Sequence, residues 1–250
     1  MCGRYSMIML HEVIRARPQR AAPPELFDEP PHYNAAPEQD LPITINEEPH
    51  AIRLGRWGFI PGNTKEKKPR IHINARSETV DTRPAFRDAF QKRRCIVYAD
   101  GFYEWMKTDH GKVPHRICLR DEDVFAFAGI FDRRGDQLRY AILTTAPNEL
   151  VAPIHDRMPV ILSEAGEERW LDIDAPAREA KKLLVSYPAK EMTAYAVSNL
   201  VNNYRNDSPE VIEPLDLSAP REEAPPPSRA PRPPAKRKRR KPTPPGLFDA

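Results

Sequence analysis

Hydrophobic positions along the chain come in short runs, and most of the runs have strand-like spacing. Ile43-Thr44-Ile45 alternates, and Ala51 to Phe59 alternates or runs apolar until Pro61-Gly62 ends it. Cys95-Ile96-Val97-Tyr98-Ala99 is an unbroken apolar run, followed by a turn at Asp100-Gly101 and then by Phe102-Tyr103-Glu104-Trp105. Asp109-His110-Gly111 predicts a hairpin, with further strands around Arg116 to Leu119, Val124 to Phe131 and Leu138 to Thr145. Helical spacing is weaker: Leu10 to Arg17, stopped by Pro18; a short helix from Pro84 carrying Phe86 and Phe90; a short helix capped by Asn148; Glu164 to Leu171; and Ala177 to Leu184. Thr193 to Val197 and Val211 to Leu217 close the body. Many short strands, few helices and no regular βαβ alternation predict an α+β fold: a single domain over residues 2–217, with a mainly antiparallel sheet or open barrel and peripheral helices.

The pattern stops at about Ser218. From there the chain holds ten prolines and the run Lys236-Arg237-Lys238-Arg239-Arg240-Lys241. That composition cannot bury a core and predicts a disordered tail over residues 218–250, suited to nonspecific attraction to nucleic acid or to nuclear import. Gly246-Leu247-Phe248-Asp249 returns two apolar residues, a candidate docking peptide for a replication-fork partner such as a sliding clamp.

Charge changes this picture more than composition does. The formal net charge of +3 conceals nine basic and three acidic residues from Ser218 onward, which leaves 30 basic and 33 acidic residues before it. A local basic surface nevertheless lies between Lys65 and Arg94, with ten Lys/Arg against four Asp/Glu. The flanking aromatics Trp57, Phe59, Tyr103 and Trp105 suit single-stranded nucleic acid, where cations pair phosphates and flat rings stack on bases. No apolar run approaches the about 18 residues of a membrane span, and Ile8-Met9-Leu10 is too short for a signal-peptide core. The expected location is therefore the cytoplasm with its nucleoid, or a nucleus in a eukaryotic cell.

Three scattered cysteines offer neither a disulfide framework nor metal-ligand spacing, and the seven histidines do not cluster, so no metal or cofactor is expected. Cys95 and Cys118 sit in apolar surroundings and read as core. Cys2 differs. Loss of the initiator methionine would place its α-amine and its thiol on one two-carbon unit. Such an amine is partly neutral at physiological pH and condenses with an aldehyde, after which the thiol closes a five-membered ring on the imine carbon.

Six segments occur together and in order: Met1-Cys2-Gly3-Arg4-Tyr5, Tyr33-Asn34-Ala35-Ala36-Pro37, Arg56-Trp57-Gly58-Phe59-Ile60-Pro61, Asn74-Ala75-Arg76-Ser77-Glu78-Thr79, Asp100-Gly101-Phe102-Tyr103-Glu104-Trp105 and His155-Asp156-Arg157-Met158-Pro159. On these segments the chain resembles the SOS-response-associated peptidase (SRAP) family of abasic-site processing proteins. The resemblance implies self-removal of Met1 and a covalent thiazolidine between Cys2 and the ring-opened abasic sugar in single-stranded DNA. A monomer is expected, and whether the cross-link is reversed and whether the strand is cleaved as by a lyase are left open. The resemblance implies Cys2, Asn74, Glu104 and His155 as catalytic residues. Glu104, between two aromatics, would be a desolvated general acid/base, His155 would exchange a proton with the sugar oxygen, and Asn74 would orient the amine or the sugar.

Arg4, Asn34, Trp57, Arg76, Trp105 and Arg157 are implied at the DNA, with Arg4 and Arg76 as phosphate clamps, Asn34 supporting Cys2, and Trp57 and Trp105 as candidates for packing on bases, a core position being the alternative for Trp57. Thr145 and Glu78 are weaker carry-overs. Two departures stand out: Asn63 occupies a place where such proteins often carry tryptophan, and the basic residue before Phe86, Arg83, is out of register by one. Two other readings compete. A class II glutamine amidotransferase also begins Met-Cys-Gly, but its oxyanion element Asn-Gly-Asp is absent here. The other is a noncovalent single-strand binding module.

Overall fold

The strand-forming runs build two sheets in a computed structural model described for residues 2–62, 64, 66, 69–121 and 123–215. In chain order the elements are β1 (Tyr5–Met7), α1 (Leu10–Ala16), β2 (His32–Ala35), β3 (Asp40–Ile45), β4 (Arg53–Trp57), β5 (Asn74–Arg76), α2 (Arg87–Lys92) and β6 (Arg94–Ala99). There follow β7 (Gly101–Thr108), β8 (Gly111–Leu119), β9 (Phe125–Arg134), β10 (Gln137–Thr145), β11 (Met158–Pro159), β12 (Ile161–Leu162), α3 (Glu164–Leu171), α4 (Ala177–Lys181) and β13 (Met192–Ala196). The first sheet runs β13-β8-β7-β1-β2, and the second runs β11-β10-β4-β3-β6-β9-β12 with β5 added against β10.

A further ladder, Gln137 opposite Arg134 through Ile142 opposite Gly129, joins β10 to β9 and closes β10-β4-β3-β6-β9 into a ring. The sheet is thus a closed barrel. β10 runs parallel to β4 and β5, while the other ladders are antiparallel. The closure needs a residue without a side chain, because a Cβ on Gly129 would lie 2.8 Å from Cys95 Sγ and 3.2 Å from the Ala141 carbonyl oxygen. Tyr5, Trp57, Phe127 and Tyr140 are fully buried, and the Tyr5 and Tyr140 hydroxyls share a hydrogen bond of 2.9 Å.

The chain changes sheets at Asp100, between β6 and β7, and that residue fixes where β1 lies. Its buried carboxylate accepts from Ser6 Oγ at 2.6 Å, Arg116 Nη2 at 3.0 Å and the backbone N–H groups of Ile8 and Met9. A carboxylate taken out of water is tolerable only with such partners, and here each partner on the β1 side also ties the N-terminal strand to β7.

Two expectations are corrected. Residues 148–154 form a turn rather than a helix: Asn148 Oδ1 accepts from Val151 N–H at 3.0 Å, but Pro153 keeps Ala152 from propagating it. The helix expected from Pro84 begins at Arg87. Val211 and Ile212 end a 3-10 turn, and only a bridge between Val197 and Pro214 follows. The Pro/Lys/Arg-rich tail, with its proposed docking peptide, and Asn63 lie outside the described residues. Among the described residues no helix is long and apolar enough to cross a membrane.

Candidate active site

Strand pairing brings the sequence-remote candidates to one place. Tyr5 pairs with Phe102, and Arg4 accepts the Tyr103 N–H at 3.0 Å, so the residues before β1 continue alongside the Glu104 stretch of β7. The end of β10 supports two more. Thr144 pairs with Arg76 of β5 on one side and with Pro159 of β11 on the other, which carries Asn74 and the 155–157 turn to the same mouth of the barrel.

Cys2 is fully buried, with its thiol 3.5 Å from the Arg4 carbonyl oxygen. Asn74 Nδ2 donates to the Cys2 carbonyl oxygen at 2.7 Å, which fixes the peptide unit next to the thiol. Burial pushes the Cys2 thiol well above its ordinary value, and the charge of Glu104 adds to that. The thiol therefore stays protonated until a base relieves it of its proton.

Glu104 is buried on β7, and burial pushes its carboxyl from 4.5 up to about 7, against the charge and a hydrogen bond of the chain's amino terminus. His155 is shifted the other way: burial, then the positive amino terminus, lowers its imidazole below 6.5. The two face each other with Nε2 3.7 Å from Glu104 Oε2. That separation exceeds a hydrogen bond, and the opposite shifts make the pair a neutral imidazole beside a half-protonated carboxyl rather than an ion pair. Arg157 N–H donates to His155 Nδ1 at 3.0 Å, which leaves the proton of the neutral ring on Nε2, the nitrogen facing Glu104. Asp156, exposed and 3.0 Å from Nδ1, is placed to take up the charge if that ring is protonated.

Of the ten candidates, Cys2, Asn74, Glu104 and His155 are brought together. The residues expected at DNA divide. Arg76 is exposed on β5, and Trp105 is half-buried with Nε1 donating to Asn202 Oδ1 at 2.7 Å. Arg4 is half-buried and bonded to neutral acceptors, Asn34 Oδ1 at 2.9 Å and the Val201 carbonyl at 2.8 Å.

Three of them are corrected. Trp57 is 0% exposed, packs on Tyr5 at 5.1 Å and donates through Nε1 to the Ile73 carbonyl at 2.9 Å, so it has no face for a base. Asn34 is equally buried, and its Nδ2 donates to the carbonyls of Val201, Asn203 and Asn206 while its Oδ1 holds Arg4; it anchors the 199–206 segment rather than DNA. Arg157 is bound through Nη1 and Nη2 to the two oxygens of Glu78, at 2.6 and 2.9 Å, and braces the turn that positions His155. The carry-over Glu78 thereby gains a role, and Thr145 is buried at the β10–β11 pairing. Sequence reasoning missed Asp100 and the 199–206 segment; the Asn199, Asn202, Asn203 and Asn206 cluster was the available signal. Among the described residues no group of three or more His, Cys, Asp or Glu side chains is placed to hold a metal ion.

Residues 1–204 match the family described as SOS response associated peptidase (SRAP). The chain is 42% identical over 224 residues to abasic site processing protein YoqW of Bacillus subtilis (strain 168), covering 85% of this chain and 99% of that one. It is 31% identical over 229 residues to abasic site processing protein YedK of Escherichia coli (strain K12), covering 86% and 100%. A crystal structure of a protein from Bacteroides thetaiotaomicron shares the fold, with a TM-score of 0.77 at 28% identity over 86% of this chain and 100% of that one.

Proposed function

Because the chain belongs to the SOS response associated peptidase family, whose relatives named above are abasic site processing proteins, we propose that it captures abasic sites in single-stranded DNA through a thiazolidine on Cys2. The observation that carries this reading is the gathering of Cys2, Asn74, Glu104 and His155 at one mouth of the barrel, with Glu104 poised near neutrality.

Hydrolysis of the Met1–Cys2 bond consumes one water and exposes the Cys2 α-amine, a step the protein performs on itself. His155 Nε2–H hydrogen-bonds to the sugar ring oxygen as the hemiacetal opens to the aldehyde, and the proton of the anomeric hydroxyl passes to that oxygen, so the ring stays neutral. The amine adds to the aldehyde carbon and the carbinolamine loses its hydroxyl as water. Glu104 takes the amine proton and returns it to that departing hydroxyl, which a carboxyl of pKa about 7 does in either direction at neutral pH. Sγ then bonds to the imine carbon while the thiol proton passes through Glu104 to the nitrogen. Capture thus releases one water overall. Ring closure also removes the imine, the intermediate from which elimination would break the strand. Asn74 holds the Cys2 carbonyl throughout, so nitrogen and sulfur meet the sugar in one geometry.

The test is a denaturing gel of the protein with a single-stranded oligonucleotide carrying one abasic site. A retarded band that survives detergent and boiling, absent with undamaged DNA and absent with Cys2→Ala, is the expected result. Equal retention by Cys2→Ala, dissolved by denaturant, would overturn it in favour of a noncovalent module. Cys2-dependent ammonia release from glutamine, without a retarded band, would overturn it in favour of an amidotransferase.

A further inference from the structure

An abasic nucleotide has no base to read, so the protein must hold the strand through neighbouring phosphates and bases. The 199–206 segment offers such a hold beside Cys2. Tyr204 is 47% exposed, one of the large apolar side chains left at the surface. The Arg4 guanidinium lies 6.0 Å from its ring centroid and that of Arg205 5.7 Å. Among the described residues neither arginine forms an ion pair with a carboxylate, so two cations share one aromatic ring without a compensating anion.

The segment that presents the ring is held in place, although it is irregular. Asn34, fully buried, donates to the Val201, Asn203 and Asn206 carbonyls and accepts from Arg4, and Trp105 Nε1 bonds to Asn202. Arg4 belongs both to this segment and to the Cys2 site, since its carbonyl receives the Cys2 thiol.

We propose that Tyr204, with Arg4 and Arg205, forms a nucleotide subsite that stacks one base next to the captured sugar and pairs the phosphate beside it. This rests on the abasic-capture reading and assigns which part of the substrate the 199–206 segment takes. A guanidinium pairs phosphate oxygens bidentately, and an aromatic face accepts any base, so the subsite is indifferent to sequence, as a lesion reader must be.

The experiment uses oligonucleotides with 2-aminopurine on the 5′ or the 3′ side of a single abasic site. On binding the unmodified chain, the fluorescence of 2-aminopurine on one flank is quenched. Tyr204→Ala loses that quenching and weakens noncovalent affinity about tenfold for the same strand with an unreactive reduced abasic site, while Tyr204→Phe keeps both. Arg205→Ala lowers the dependence of affinity on salt by about one phosphate contact. Quenching on neither flank with the unmodified chain, or Tyr204→Ala within twofold of it, overturns the subsite. If Tyr204→Ala does not stay folded, the comparison of the two flanks with the unmodified chain still decides. The denaturant-resistant band is scored separately: the band without quenching sinks the subsite alone, and quenching without the band sinks the capture reading.

Discussion

Glu104 and Glu167 are equally buried, at 2% exposure each, yet their surroundings are opposite. Glu167, on α3, accepts from Arg17 Nε at 2.9 Å, Arg17 Nη2 at 2.5 Å and Arg20 Nη1 at 2.6 Å, and Arg20 reaches on to Glu168 at 2.7 Å. Burial works to lower the Arg17 value, but the hydrogen bonds and charge of Glu167 hold it above the ordinary one. Glu104 faces an imidazole at 3.7 Å, and burial wins, bringing it to about 7. The first carboxylate is held by two guanidiniums and joins α3 to the segment after α1. The second sits between charge states, and proton transfer needs that.

The largest expected effect comes from breaking the paired region. Glu167→Ala leaves the buried Arg17 guanidinium without its carboxylate and Arg20 with Glu168 alone, and should cost about 3–5 kcal/mol in urea unfolding, with cross-linking by the folded fraction unchanged. A cost under about 1 kcal/mol would mean that the Arg17–Arg20–Glu167 cluster is not the anchor described.

Glu104→Gln should do the reverse. It keeps the shape and removes the titrating proton, so adduct formation should slow about 100-fold, measured as the rate of appearance of the retarded band. Unchanged rates would take Glu104 out of the mechanism.

The smallest effect sharpens the contrast through pH. Glu104 keeps its proton to higher pH in the folded protein than in the unfolded chain, where its value is 4.5. Between about 4.5 and about 7 the folded state therefore binds more protons, and stability falls as pH rises. Denaturation of the unmodified chain against Glu104→Gln should show the variant gaining about 2–3 kcal/mol across that window. A difference that is flat with pH would contradict the raised value.

Much of this was legible along the chain, and the reasons are local. The run from Cys95 to Thr145 gave the hairpins and strands of both sheets, because period-two alternation and the Asp109-His110-Gly111 turn are set by neighbours. The four residues around Cys2 were legible through their motifs. Closure of the barrel was not, because Gly129 of β9 has to pair with Cys95 of β6 on one side and Ile142 of β10 on the other, with no room for a Cβ between them. Nor was the division among the DNA candidates. Trp57 and Trp105 both stand beside polar residues in the sequence, and only the packing of Tyr5 against Trp57 decides which ring is covered. Arg157 reads as a free cation until Glu78 is placed opposite it by β5, and Asn34 reads as a turn residue until 199–206 folds back over it.

The central claim is most directly tested by intact mass of the protein bound to a single-stranded oligonucleotide with one abasic site. Capture predicts a species equal to the chain without Met1 plus the oligonucleotide, less one water. A protein that retains Met1, or one recovered free of DNA at the unmodified mass, would contradict it.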